Sequence, residues 1–421
     1  MVRDLTEEKL RDAARAPERR PRLQGKRAAM ATFSAYPGDP RPRRAIEALL
    51  AEGMAVELIC LADGEQPARE KGDRLRVFRV PLAHTRGGKI RYAFNYVAFL
   101  LSAALLMTLR LAGGRFHLVY IHNMPDVLVF SALVPRLLGA RVILDQHDPM
   151  PELMTTIYEV GPDSWSVRVL KFLEKLSLGF ADRVITVNAA CRRIFGDRSC
   201  SPEKITVVMN SPDETIFPFR PLEEGQESGA KRPFVLMYHG SLVERNGLDL
   251  AVEAVARLGV PADALELRVF GRETPYLHRV LAQARQLGVE GYVRYLGPRR
   301  LEDLPAEIAA CDAGVIPNQR NAFTDINTPT RIFEYLSVGK PVIAPRTPGV
   351  LDYFSADSLV FFESGRSDDL AEKMRFVMQH PAQARATARL GQQVLAQHTW
   401  SQERETLIET VAALILPKAS A

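Results

Sequence analysis

A chain of 421 residues with 47% hydrophobic and 25% charged residues is long enough for two cores, and it is too evenly mixed to be disordered, collagen-like or a series of membrane spans. Its formal net charge of +5 and pI near 9.0 favour anionic partners, yet no Lys/Arg run has the density or aromatic interleaving of a nucleic-acid site, so nucleic acid is not an expected partner. Cys60, Cys191, Cys200 and Cys311 form no C-x-x-C pair, which argues against a disulfide scaffold and for reduced thiols in a cytoplasmic protein.

Residues 1–25 are rich in Arg and Glu and lack an apolar segment, which predicts a mobile leader and neither a signal peptide nor an anchor. A first domain is expected over 26–215. Strand 28–33 runs into the loop Tyr36-Pro37-Gly38-Asp39-Pro40 and a helix at 41–51, a Rossmann-like opening without the G-x-G-x-x-G fingerprint. Strands follow at 56–61, 75–80, 118–122, 142–144, 184–187 and 205–209, with helices at 89–112, 126–138 and 165–180. Such alternation predicts a parallel sheet covered on both faces.

The helix at 89–112 contains 18 uncharged residues, Tyr92 to Leu109, between Arg91 and Arg110, which touches the lower limit for a membrane span. Asn95, Ser102, Thr108 and the flanking strands suit a buried crossover helix. The basic, aromatic entry from Arg86 to Tyr92 suits a helix lying at an anionic lipid surface, so both readings stand and a true span fits least.

Two strand ends carry histidine: His122-Asn123-Met124-Pro125-Asp126 and His147-Asp148-Pro149-Met150-Pro151-Glu152. Both lie just past the carboxyl end of a parallel strand, the edge where open α/β sheets bind ligands, so His122, Asn123, His147, Asp148 and Glu152 are candidate site residues. A metal hydrolase built on His147-Asp148 lacks a further His/Asp series at helical spacing, and no Asp-x-Asp stands near a donor-site strand; no metal site is expected.

A polar stretch with Pro, Gly, Glu and Lys at 216–233 reads as a linker. A second domain over 234–397 repeats the pattern, with strands at 234–239, 265–270, 292–296, 314–316, 342–344 and 358–362 and helices at 248–258, 275–287, 301–310, 367–380 and 382–396. Residues 398–421 read as a closing helix expected to pack back towards the first domain. After strand 234–239, Gly240 lets backbone approach a ligand, Ser241 adds a hydroxyl, and Arg245 supplies the strong cation of that turn.

The most informative stretch is 325–344. Thr328 suits an N-cap, Pro329 the first helical position, and Gly339-Lys340-Pro341 a stop, predicting a helix of about three turns. The amides of Thr330 and Arg331 in its first turn would meet a phosphate, and Glu334 one turn later could accept hydrogen bonds from a ribose diol.

The run Phe333-Glu334-Tyr335-Leu336-x-x-Gly339-Lys340-Pro341-Val342-Ile343-Ala344 resembles the donor-site signature of family 4 of the retaining glycosyltransferases, with Arg331 where many members carry a basic residue. The resemblance implies an α/β fold of the GT-B type, two Rossmann-like parallel-sheet domains facing a central cleft. It also implies a nucleotide-diphosphate sugar as co-substrate, no cofactor and no required metal. His147, Arg245 and Arg331 would be catalytic, and Gly240, Ser241, Arg272, Tyr295, Thr328, Thr330 and Glu334 would bind the donor. His122, Asn123, Asp148 and Glu152 would line the acceptor side, where a glycan or lipid-linked acceptor of cell-surface polysaccharide synthesis would bind at the inner face of the membrane.

Two positions depart from the family pattern. Asn246 stands where Lys is frequent, and Ile326 stands where the first of two paired glutamates would fall, so Asp325, Asn327 or backbone amides would contact the sugar. These departures keep open a catalytically silent binding scaffold, and the same build also serves nucleotide-sugar epimerases and hydrolases. The residues do not name the nucleotide, the sugar or the acceptor.

Overall fold

The computed structural model describes residues 21–64, 66–82, 89–222 and 232–417. Most of the expected leader, much of the expected linker and the segment Arg86 to Gly88 lie outside the described residues. The chain forms two compact units, an N-terminal one of Ala16–Asn210 with Glu403–Ala421 and a C-terminal one containing Ser211–Gln402.

In the N-terminal unit β1 (Arg27–Ala35), β2 (Ala55–Leu61), β3 (Arg69–Lys71), β4 (Leu75–Val80), β5 (Leu118–His122), β6 (Arg141–Gln146), β7 (Arg183–Thr186) and β8 (Ile205–Val207) make one sheet in the order β3-β4-β2-β1-β5-β6-β7-β8. All pairs are parallel except β3 with β4. The central strands are near-continuous apolar runs because neither face meets water. The helices are α1 (Pro40–Ala51), α2 (Lys89–Arg110), α3 (Leu133–Leu137), α4 (Met150–Tyr158), α5 (Trp165–Phe180) and α6 (Ala189–Arg198). Asp39 caps α1 by accepting from the Arg41 amide, and Pro40 opens it where a missing N–H costs nothing.

Several local expectations change. The region 126–138 is a 3-10 turn over Asp126–Ala132 followed by the five residues of α3, because Pro135 lacks the amide that a continuous helix needs. The Pro-broken stretch after His147 folds as α4, with Pro151 in the first turn where proline is tolerated. Helix α2 is not a wholly buried crossover. Phe99, Ala103 and Met107 are buried, while Phe94, Leu101, Leu105 and Leu109 on the opposite face are about 60% exposed or more.

In the C-terminal unit β9 (Phe234–His239), β10 (Leu265–Phe270), β11 (Val293–Gly297), β12 (Ala313–Val315), β13 (Val342–Pro345) and β14 (Val360–Phe362) form an all-parallel sheet in the order β11-β10-β9-β12-β13-β14. Around it lie α7 (Leu248–Ala256), α8 (Pro275–Gln286), α9 (Leu304–Ala309), α10 (Thr330–Ser337), α11 (Pro348–Leu351), α12 (Ser367–Gln379) and α13 (Pro381–Leu395); α14 (Trp400–Ile415) carries the chain back into the N-terminal unit.

Helix α10 is shorter than expected, at eight residues. Pro329 with φ −63° and ψ 123° holds the cap position, and the Thr328 hydroxyl donates to the Gly349 carbonyl at 2.7 Å instead of capping. Tyr335 of α10 packs where a Cβ on Gly314 would lie 2.4 Å from its ring, so only glycine in β12 lets helix and strand approach this closely. Burying an aromatic of this kind is worth about 1.5–3 kcal/mol, which fixes the helix against the central strands β9 and β12.

Candidate functional site

Each sheet has one point where strand order reverses about its first strand, between β1 and β5 and between β9 and β12, and it is at the carboxyl ends of such a point that open α/β sheets bind ligands. His122 and His147 stand at the first of these places and Gly240 and Arg331 at the second, while Arg272 and Tyr295 lie further along the sheet, past β10 and on β11.

In the C-terminal unit Arg331 spans the reversal. Its Nη1 donates to the His239 carbonyl at the end of β9 (2.9 Å), and its Nη2 donates to Asn318 Oδ1 beyond β12 (3.1 Å). The guanidinium carbon stands 5.1 Å from the Tyr238 ring centroid, and a Cβ on Gly240 would lie 3.4 Å from Arg331 Cδ. The cation is therefore held in place before any ligand arrives. Gly240 itself has φ 122°, a conformation that favours glycine.

Glu334 is nearly buried, and its Oε2 pairs with His239 Nε2 at 2.6 Å. His239 Nδ1 pairs with the Tyr335 hydroxyl at 2.8 Å, and that hydroxyl donates to the Met237 carbonyl at 2.7 Å. Glu334, expected to accept from a ribose diol, thus has one of its two oxygens bonded within the protein. His239 was missed in the sequence because its importance comes from a partner 95 residues away.

The turn after β9 is fixed by two bonds to the Ser241 carbonyl, from the Tyr238 hydroxyl and from Asn246 Nδ2, each 2.8 Å. Asn246, at the position where the family resemblance leads us to expect Lys, therefore orders the turn. Gly247 has φ 67°, and a Cβ there would sit 1.9 Å from the Pro317 carbonyl oxygen, so no other residue fits. Arg245 is half-buried, with its guanidinium 5.8 Å from the Phe323 ring. Arg272 is exposed just past β10, and the Tyr295 hydroxyl donates to Gly271 at 2.9 Å. Thr330 is half-buried at the first position of α10.

In the N-terminal unit the decisive residue is Asp145 on β6, buried at 1% exposure. It accepts from Arg41 Nη2 (2.6 Å) and Nε (3.0 Å) and from the Tyr120 hydroxyl (2.8 Å). Arg41 also donates to the Val208 carbonyl (3.0 Å) and to Asn210 Oδ1 (2.9 Å). Burial alone would raise the Asp145 carboxyl, but Arg41 with the two imidazoles holds it down at about 2. His122 Nδ1 lies 3.0 Å from His147 Nε2 and 3.4 Å from Asp145 Oδ2. The same Asp145 oxygen lies 3.9 Å from His147 Nε2, so the carboxylate faces both rings, and the tautomer they share decides which of the two donates across the 3.0 Å contact.

His122 is fully buried, so it acts through His147 and does not itself line the acceptor side. Asn123 is also turned inward, accepting from the His147 amide (2.7 Å) and donating to the Asp148 carbonyl (2.9 Å). Both Glu152 oxygens accept from Arg198, at 2.6 and 2.9 Å, which spends its charge on tying α4 to α6. Of the expected acceptor-side residues, Asp148 keeps partial exposure, as does the expected catalytic residue His147. Arg41 and Asp145 escaped the sequence reading, although an acid inside an apolar strand requires a cation somewhere.

The ligating atoms of His122, Asp145 and His147 lie within 4.8 Å of one another. They fit a resident cation poorly, since the carboxylate already accepts from a guanidinium and a phenol and a metal would stand beside Arg41.

Burial, with a smaller contribution from Arg41, pushes the His122 imidazole down to about 4 and the His147 imidazole well below its usual range. A folded-state value below the unfolded one of about 6.5 gives stability that is complete above pH 6.5 and lost as pH falls towards 4, with Asp145 adding a further loss between about 4 and 2. For His122 the loss is about 3 kcal/mol. Melting followed from pH 7 to pH 4 is expected to show this slope and His122→Phe to flatten it; equal slopes in the two proteins would contradict the assignment.

The sequence families agree with this geometry. A glycosyl transferase 4-like domain matches residues 39–211, and a glycosyl transferase-like domain matches residues 246–409. The chain belongs to the family 4 glycosyltransferases. The lipopolysaccharide core biosynthesis glycosyltransferase LpsE of Rhizobium meliloti is 35% identical over 115 residues, 27% of this chain and 30% of that one. The curated relatives that match are each covered over less than two fifths of their length. Sucrose-phosphate synthase from Thermosynechococcus elongatus superposes with a TM-score of 0.75 at 17% identity, covering 92% of this chain and 99% of that one. Anabaena HepE in complex with UDP-glucose superposes with a TM-score of 0.67 at 18% identity, covering 92% and 99%. The fold of this family 4 glycosyltransferase is GT-B.

Proposed function

We propose that this chain is a retaining glycosyltransferase that takes a sugar from a nucleoside-diphosphate sugar and passes it to a glycan or lipid-linked acceptor in cell-surface polysaccharide synthesis. The observation that carries the reading is Arg331, held by His239 and Asn318 at the strand-order reversal and at the start of α10. HepE, of the same fold, is described in complex with UDP-glucose, and LpsE is named for lipopolysaccharide core synthesis.

The reaction breaks the bond between the anomeric carbon and the diphosphate. Negative charge grows on the leaving phosphate, where Arg331, Arg245 and the first amides of α10 meet it. The acceptor hydroxyl bonds to the anomeric carbon and its proton passes to the leaving phosphate, so no protein nucleophile is needed. Glu334, with one oxygen on His239, takes a ribose hydroxyl on the other. Asp325, whose Oδ1 is buried without a hydrogen-bond partner among the described residues, takes a donor-sugar hydroxyl in place of the glutamate replaced by Ile326. His147, at the strand-order reversal of the N-terminal unit, offers a ring nitrogen to an acceptor hydroxyl.

Cationic side chains and helix amides replace a metal in this scheme. Melting in the presence of uridine, guanosine or thymidine diphosphate is expected to shift for one of them, by about 2.7 kcal/mol of stability at a hundred times the dissociation constant. The shift and the turnover of the matching sugar are both expected to survive excess chelator. No shift with any nucleotide would defeat the donor assignment, and magnesium-reversible loss of turnover would defeat the metal-free mechanism.

A further inference from the structure

The N-terminal unit carries an apolar face made by three helices. On α2 the outward stripe Phe94, Val97, Leu101, Leu105 and Leu109 recurs every three to four residues, and the segment Ala93–Gly113 has a mean hydropathy of 1.7 with only 17% of its most apolar window buried. On α3, Leu137 is 76% exposed. On α5, Trp165 is 79% exposed, with Phe172 and Leu176 on the same side.

These helices are neighbours. The Phe130 and Phe180 rings stand 5.2 Å apart, the Arg136 guanidinium lies 4.5 Å from the Phe180 ring centroid, and Ser131 Oγ reaches Met107 Sδ at 4.0 Å. The segment 126–137 therefore lies between α2 and α5, and the exposed side chains belong to one surface. Apolar surface of this extent marks an interaction site.

The charge pattern selects the occupant. Neither α2 nor α3 contains an Asp or Glu, and the one carboxylate of α5, Glu174, is buried against Arg198 at 2.6 Å. The exposed side of α5 places Arg168 and Lys175 among Trp165, Phe172 and Leu176, and Lys89 and Arg91 open α2. The carboxylates bordering the face are Glu159 and Asp163 in the loop before α5 and Asp182 just after it, the last 3.7 Å from the Arg136 guanidinium. Cations and aromatics interleaved on an apolar face fit the headgroup region of an anionic bilayer, where the rings enter the interface and the cations meet phosphate. A second copy of the chain would bring two basic faces together, which fits less well.

We infer that α2, α3 and α5 together form a membrane-docking face for anionic phospholipid, with α2 lying in the plane of the interface and not across the bilayer. The face is wider than a single amphipathic helix, with Trp165, Phe172 and Leu176 of α5 extending the stripe on α2.

The test is flotation of the full chain with phosphatidylglycerol-containing vesicles and with pure phosphatidylcholine vesicles, at low and high salt. Partitioning onto anionic vesicles is expected to exceed that onto neutral ones, and to fall at high salt as the charges are screened. Trp165→Ser with Phe172→Ser is expected to lower it at least about tenfold, as is Leu101→Glu with Leu105→Glu. Arg168→Glu with Lys175→Glu is expected to abolish the preference for anionic lipid. All these positions are exposed, so melting temperatures should stay near that of the parent chain. Failure to float under any condition overturns the inference, and so does flotation untouched by the α5 pair. A dimer in light scattering that Leu101→Glu dissolves, without vesicle binding by the parent chain, would reassign the face to self-association.

Discussion

Replacing Arg331 by alanine lowers the turnover number by about 10²–10³-fold, the cost of removing one preorganised donor from a developing anion. The magnitude follows from how the side chain is held. Two hydrogen bonds, to His239 and Asn318, and the Tyr238 ring fix the guanidinium, so no reorganisation accompanies the reaction. Because charge on the leaving phosphate peaks in the transition state, turnover should fall more than donor affinity. Arg331→Lys keeps the charge but cannot span His239 and Asn318 together, and it should remain at least about tenfold slower than the parent. Steady-state nucleotide release, with the Michaelis constant resolved from turnover, measures both. A change of less than threefold in Arg331→Ala would remove this residue from the reaction.

Arg41→Met is expected to cost about 3–5 kcal/mol of stability in the N-terminal unit, the penalty for stranding one buried charge without its partner. Asp145 would keep Tyr120 at 2.8 Å and lose both guanidinium contacts, so its carboxyl would rise from about 2. The His122–His147 pair would then face a carboxylate that no guanidinium holds in its charged form. Removing both charges, as Arg41→Met with Asp145→Leu, should recover much of the loss, since two apolar groups leave no unpaired ion. Hydrogen exchange of the β5 and β6 amides in urea reports this unit separately from the other. Unchanged protection in the single variant would mean that the ion pair holds nothing together.

What the sequence made legible and what it concealed divide along sequence distance. Strands with continuous apolar runs, the stop at Gly339 and the placing of Arg331 in the first turn of a helix are local properties, and they appear where periodicity and turn residues put them. The pairs that set the chemistry are not local. Arg41 and Asp145 are 104 residues apart, and His239 and Glu334 are 95 apart. No spacing rule connects them, because strand order alone brings their elements together. Thr328 shows the same limit on a smaller scale. Its type and position fit a cap, yet the loop at Gly349 comes close enough to take its hydroxyl. The apolar stretch in α2 was legible as an ambiguity, and only the stripe of exposed side chains shows that one face packs on the unit and the other does not.

The return of the chain into its first unit has a practical consequence for anyone recombining this protein. Met209 donates its amide to Glu403 Oε2 at 2.8 Å, Arg22 grips Glu405 at 2.6 and 2.8 Å, and Arg404 reaches Glu52 at 3.1 Å. A gene fragment ending near residue 210 therefore omits part of the scaffold it is meant to encode. Chimaeras that exchange N-terminal units between relatives need a double crossover, one near 210 and one near 402, so that the tail travels with the front half it was selected against.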